Sequence, residues 1–177
     1  MKRRMIVLAV AFVAVSALLA LPLWQKAEAG DSGNGCKLQG SWVGRLPTGE
    51  TYIVTYHGTG ANEGTDDLEW ITGSPTFFGM FPNATSASAN RGVWAKTDPN
   101  KFDFTLLQVG LNANQQIEYI AQYSGTKTLT DCNTMEVRTT AIEILSPADL
   151  QPLVCIPMDP SAPPTIAHRI ALRGTCP

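Results

Sequence analysis

From residue 36 onward, apolar and polar positions alternate with a period of two in short runs. Clusters of Gly, Pro, Asn and Asp separate the runs. That pattern predicts strands over 41–46, 51–57, 67–72, 91–96, 101–110, 116–123, 127–130, 134–145 and 165–173. The face assignments are direct. Ile117, Tyr119, Ala121 and Tyr123 lie opposite Glu118, Ile120 and Gln122; Phe102, Phe104 and Leu106 lie opposite Asp103, Thr105 and Leu107. In the last run Ile166, His168, Ile170 and Leu172 oppose Ala167, Arg169, Ala171 and Arg173, so His168 is expected on the apolar face. Residues 58–65, Asp98-Pro99-Asn100, Asn112-Ala113-Asn114 and Asp131-Cys132-Asn133 read as turns, and 83–90 and 159–164 as loops. Ser146-Pro147 is a cap followed by a first-turn proline, enough for about one helical turn. Strands at this spacing without an amphipathic helix mean an all-β, antiparallel sandwich or barrel.

The opening of the chain follows another rule. Lys2, Arg3 and Arg4 precede an almost unbroken apolar run from Met5 to Leu21, and Ala27-Glu28-Ala29 is a small-x-small site. This three-part pattern predicts a signal peptide at 1–29, with an uncleaved anchor as the alternative. A Gly/Ser/Asn-rich lead-in follows at 30–36, then one domain over 37–177. The protein is therefore expected to be exported, to a periplasm or the extracellular space.

Removing 1–29 changes the charge. The full chain of 177 residues has 13 Lys+Arg and 15 Asp+Glu; residues 30–177 keep 9 and 14, a formal charge of −5. An acidic domain without a basic patch is no nucleic-acid binder. All four cysteines, Cys36, Cys132, Cys155 and Cys176, lie in the expected exported part, which reads as two disulfides with three pairings open. Cys36–Cys176, joining the two ends of the domain, with Cys132–Cys155 is the expected set. No CxxC pair and only two histidines argue against zinc, and no metal or cofactor is expected.

Gly40-Ser41-Trp42 opens the first strand and Arg173 ends the last. This resembles the lipocalin-like (calycin) arrangement, a G-x-W paired with a basic residue on the closing strand. Gly92-Val93-Trp94, Phe102-x-Phe104-Thr105 and Gly125-Thr126-x-x-Leu129 resemble small secreted bacterial lipocalin-like proteins, most without an assigned function. The resemblance implies an up-and-down β-barrel of 8–10 strands with at most a one-turn helix. It also implies closure of one end by Gly40, Trp42 and Arg173, the guanidinium packing on the indole.

Candidate chemistry is sparse. His57 reads as a rim residue rather than a general base, and Asp66, Asp67 and Glu69 as a solvated loop and strand start without calcium-loop spacing. Ser41, Ser124 and Ser146 lie in no nucleophile elbow. The aromatics are richer. Tyr52, Tyr56, Trp70, Phe78, Trp94, Phe104, Tyr119 and Tyr123, with His168, are the candidate ligand contacts; the competing reading is that they fill a solid core. Residues 77–81 are expected as a lid or an edge strand. The leading function is binding of a small apolar molecule. The alternatives are an envelope interaction protein contacting its partner through 83–90 and 159–164, and a cofactor-free isomerase or cyclase using a buried His168, Glu118 or Glu143. Oligomeric state leaves no mark in the sequence.

Overall fold

Ten strands follow one another: β1 (Gly40–Arg45), β2 (Thr51–Gly58), β3 (Glu63–Trp70), β4 (Ala84–Ala87), β5 (Asn90–Asp98), β6 (Lys101–Asn112), β7 (Ile117–Leu129), β8 (Thr134–Leu145), β9 (Pro152–Pro157) and β10 (Thr165–Arg169). The computed structural model describes residues 36–60 and 62–171. The expected signal peptide, residues 30–35 of the lead-in, Arg173 and Cys176 lie outside them.

β10 pairs antiparallel with both β1 and β8, and this closes the sheet. The result is an up-and-down barrel of eight strands in the order β1, β2, β3, β5, β6, β7, β8, β10. The other two extend it. β4 pairs with the last residues of β6, and β9 pairs with the second half of β8. The last wall strand is thus interrupted: β9 and β10 share β8 as a partner, and residues 158–164 bow out between them. Arg138 donates to the carbonyls of Ala162 (2.9 Å) and Pro160 (3.4 Å) and holds this loop to β8.

The structure alters several expectations. Residues 83–90 contain β4, and β3 begins at Glu63, inside the expected turn at 58–65. The runs expected at 116–123 and 127–130 are one long strand, because β7 (Ile117–Leu129) runs straight through Gly125 with a register shift there. A Cβ at Gly125 would lie 2.9 Å from the Phe104 ring and 2.1 Å from the Arg138 carbonyl oxygen, so the glycine admits close packing rather than breaking the strand. Ser146–Asp149 is a turn, and no helix occurs among the described residues. β10 points Thr165 and Ala167 inward, and His168 outward and exposed, the reverse of the expected faces. The misleading signal was Ile166 and Ile170, which are exposed apolar residues on the outside.

One end is packed solid. Trp42 is fully buried, and its indole N–H donates to the Leu38 carbonyl at 2.9 Å. The guanidinium over its ring, 4.4 Å from the centroid, belongs to Arg169; the expected Arg173 lies outside the described residues. Pairing decides this: Trp42 stands opposite Arg169 across the β1–β10 ladder. Arg169 also donates to the carbonyls of Gln39 (2.6 Å), Lys37 and Cys132 (2.8 Å). Gly40 makes room for it, with φ +116 and a Cβ position 2.9 Å from Nη1. Leu38, Val54, Phe102, Leu129, Met135 and Ala167 complete the plug.

The disulfide lies at the same end and is Cys36–Cys132. This corrects both expected pairings, Cys36–Cys176 and Cys132–Cys155. The β7–β8 turn carries Cys132 to the place where β1 begins, while Cys155 sits on β9 opposite Glu143, exposed and without a disulfide partner among the described residues. The bond closes a loop across 96 positions. Loop-entropy and mutational experience put its contribution at about 2–5 kcal/mol. Replacing Cys36 and Cys132 together by Ser should lower the unfolding free energy by about that much in urea titrations. Cys155→Ser should leave it unchanged, and peptide mapping of the unreduced protein should recover Cys36 joined to Cys132.

Candidate functional site

Opposite the plug the barrel is hollow. A cavity of about 620 Å³ opens inside it, within the usual range for small-molecule pockets. Tyr52, Tyr56, Leu68, Phe104, Leu106 and Ile142 supply most of its apolar wall, and the 158–164 loop together with Leu46 and Pro47 frames the rim. The alternation of β2, β3, β6 and β8 aims these side chains inward.

Of the candidate contacts, Tyr52, Tyr56, Trp70, Phe78, Phe104 and Tyr123 line this cavity. Tyr52 and Trp70 meet edge to face at 5.5 Å. Trp94 belongs instead to the filled part: it packs on Phe102 at 5.7 Å and donates to the carbonyls of His57 and Thr65. Tyr119 anchors the segment between β3 and β4, donating its hydroxyl to the Pro75 carbonyl at 3.1 Å and stacking on Phe81 at 4.8 Å. His168 is on the outer wall.

The other catalytic candidates are outside the cavity too. Glu118 accepts from Asn83 Nδ2 at 3.3 Å, and Glu143 accepts from Gln122 Nε2 at 2.9 Å. His57 is exposed beside the β2–β3 turn, 3.4 Å from Asp67, which also pairs with Arg91 on the outer surface.

The segment between β3 and β4 borders the cavity through Phe78. Phe77 is buried against Tyr119 (5.2 Å) and Tyr123 (5.8 Å), whereas Phe78 is 61% exposed and borders the cavity. A second recess of about 390 Å³ lies beyond Phe78 and shares Leu46, Trp70, Phe78 and Tyr123 with the first. Phe77 and Phe78 hold φ of 50° and 55°, followed by Gly79 at 80°. Two bulky residues in the left-handed region store on the order of 1–3 kcal/mol each. The buried Phe77 contacts offset that cost, and Phe78 has few to offer. Phe78→Gly should therefore raise stability by roughly 1 kcal/mol. It should also speed release of an apolar fluorophore from the cavity in stopped-flow traces.

The polar part of the site went unrecognised in the sequence. Asp66 and Lys127 are both fully buried and form an ion pair at 2.6 Å across the barrel interior. The Lys127 ammonium lies 4.3 Å from the Tyr56 ring centroid and 4.1 Å from that of Phe104. Asp66 is thus an interior residue, not part of a solvated acidic cluster; only Asp67 and Glu69 face outward. Strand phase held the clue. Asp66 falls between Gly64 and Leu68, and Lys127 between Gly125 and Leu129, all inward. Lys127 and Asn90 line the cavity. Asn90 is 1% exposed, and the acceptors Asn90 Oδ1 and Asp66 Oδ1 have no hydrogen-bond partner among the described residues. Each such buried orphan costs about 1–3 kcal/mol.

Burial takes the Lys127 ammonium down to about 8, against the opposing pull of Asp66. Burial also pushes the phenols of Tyr52, Tyr56 and Tyr123 up, so they stay protonated donors. Between pH 8 and the ordinary lysine value of 10.5, unfolded Lys127 holds a proton that the folded one has lost. Stability from this group therefore rises with pH there, by at most about 1.4 kcal/mol per pH unit. Above pH 10 the tyrosines reverse the trend, because they ionise only on unfolding. Lys127→Met alone should cost about 3–5 kcal/mol by stranding the carboxylate. Asp66→Leu with Lys127→Met should recover most of that loss, and should flatten the rise above pH 8 in urea midpoints.

The chain matches no family model, no curated protein and no solved structure. What the site does is read from its own geometry.

Proposed function

We propose that this chain is an exported lipocalin-like barrel that holds a small, mainly apolar molecule in its open half. The observation that carries the reading is the cavity of about 620 Å³ walled by Tyr52, Tyr56, Phe104 and Leu106. The same barrel fills its other end tightly with Trp42, Phe102 and Met135, so the space is specific to one end. The Arg169–Trp42 contact and the up-and-down order support the lipocalin-like assignment. The Cys36–Cys132 disulfide suits an oxidising compartment, as the basic-then-apolar start of the chain does.

An apolar fluorophore added to residues 30–177 should brighten and be displaced by apolar competitors. Leu106→Trp, which fills the cavity from its wall, should weaken that binding by about tenfold or more while leaving the urea midpoint nearly unchanged. Equal binding by the two proteins would place the fluorophore elsewhere on the surface and remove the support for this reading.

A protein partner is the second reading, and one observation favours it. β9 is an edge strand with Leu153 and Val154 exposed, a surface open to strand addition.

A further inference from the structure

The cavity floor is polar but electrically closed. Lys127 reaches it as a cation, yet its charge is already matched by Asp66 at 2.6 Å. What the floor lacks is hydrogen bonds to its acceptors. Asn90 lines the cavity, belongs to the inward face of β5, and leaves Oδ1 without a partner. Asp66 Oδ1 is likewise unpartnered, and Asp66 pairs with Gly92, the next inward residue after Asn90. Gly92 lets the backbone of β5 approach that oxygen closely, since a Cβ there would sit 2.6 Å from it.

Resting on the cavity reading above, we propose that the ligand is an amphiphile with a neutral, hydrogen-bond-donating head, a hydroxyl or carboxamide, seated against Asn90. Its apolar body runs past Phe104, Leu106 and Tyr52 toward the rim. A carboxylate head is excluded on charge. At the floor it would bring a second anion beside the buried Asp66, where Lys127 is already paired; Arg138, the other cation lining the cavity, donates to the Pro160 and Ala162 carbonyls. An ammonium head meets the same objection from Lys127. A pure hydrocarbon or an ester leaves the Asn90 acceptor stranded, and sites with unsatisfied polar groups discriminate strongly against such analogues.

The test compares decanol, decanoic acid and methyl decanoate as displacers of an apolar fluorophore. The measurements are made at about pH 6, where carboxylic acids are ionised and ammonium groups hold their protons. Decanol should bind about tenfold more tightly than methyl decanoate, a difference of one satisfied donor–acceptor pair, and decanoate should bind most weakly. Asp66→Asn keeps the shape and releases the charge of Lys127, so decanoate should overtake decanol. Asn90→Leu keeps the charge balance and removes the orphan acceptor, so it should abolish the preference for decanol over methyl decanoate. Wild-type protein that prefers decanoate, or an unchanged order in both variants, would overturn the proposal; the latter shows the heads pointing outward at the rim. If Asp66→Asn does not fold, the Asn90→Leu comparison decides alone. Failure of the fluorophore itself to bind wild-type protein counts against the cavity reading, and against this inference with it.

Discussion

The stacking of Arg169 on Trp42 is the contact on which the barrel's form depends. Eight strands enclose an interior just wide enough to be filled by side chains or to hold one ligand. A closed barrel of this size therefore needs a stopper at each end, or an opening with a purpose. Arg169 makes one end a stopper. It covers an indole that no solvent reaches and ties the carbonyls of Lys37, Gln39 and Cys132 to one guanidinium. The rigid, forked head of arginine is what allows three bonds and a stack at once. The Cys36–Cys132 bond joins two of the segments that Arg169 gathers, so covalent and polar ties reinforce one another there.

With that end sealed, the other can remain hollow without the barrel losing its register. The hollow half is held open by features that each carry a cost: consecutive left-handed phenylalanines, a wall strand interrupted at 158–164, a buried ion pair and two orphan acceptors. A buried Asp66–Lys127 pair is poor evidence for stability, because desolvation consumes most of its attraction. Its value is in what it does to the cavity floor, which is made polar without being made charged. Cost concentrated at one end of a fold, and opposite a well-packed end, is the pattern expected where selection acts on a ligand rather than on stability.

Inward glycines set the shape of the space. Gly44 lies beneath the Tyr52 ring, Gly64 beneath Trp94 and Gly110 beneath Tyr119, each with a Cβ position well inside contact distance of the aromatic ring. Pairing small with large residues lets wide rings lie flat along the wall of a narrow barrel. Those that lie in the plug half make a solid core, and those in the open half make a lining.

The amino-acid sequence by itself determined most of the strand content (though not β4 or β9), the inward faces of β6 and β7, and the aromatic character of the interior, because a period of two is a local property of the chain. It also marked Trp42 as a buried plug, while leaving 77–81 open between a lid and an edge strand. It did not determine that Arg169 covers the indole: Arg169 and Arg173 share one face of the last run, and only the β1–β10 register sets Arg169 opposite Trp42. The cysteine partners escaped for the same reason, since the turn that brings Cys132 to Cys36 acts across 96 positions. Asp66 and Lys127 were visible as inward by phase. Reading them as interior requires knowing that each has the other, and residues 61 positions apart meet only when the sheet closes. Local alternation thus decides what faces in, while closure decides what it meets there, and the chemistry of the site resides in those meetings.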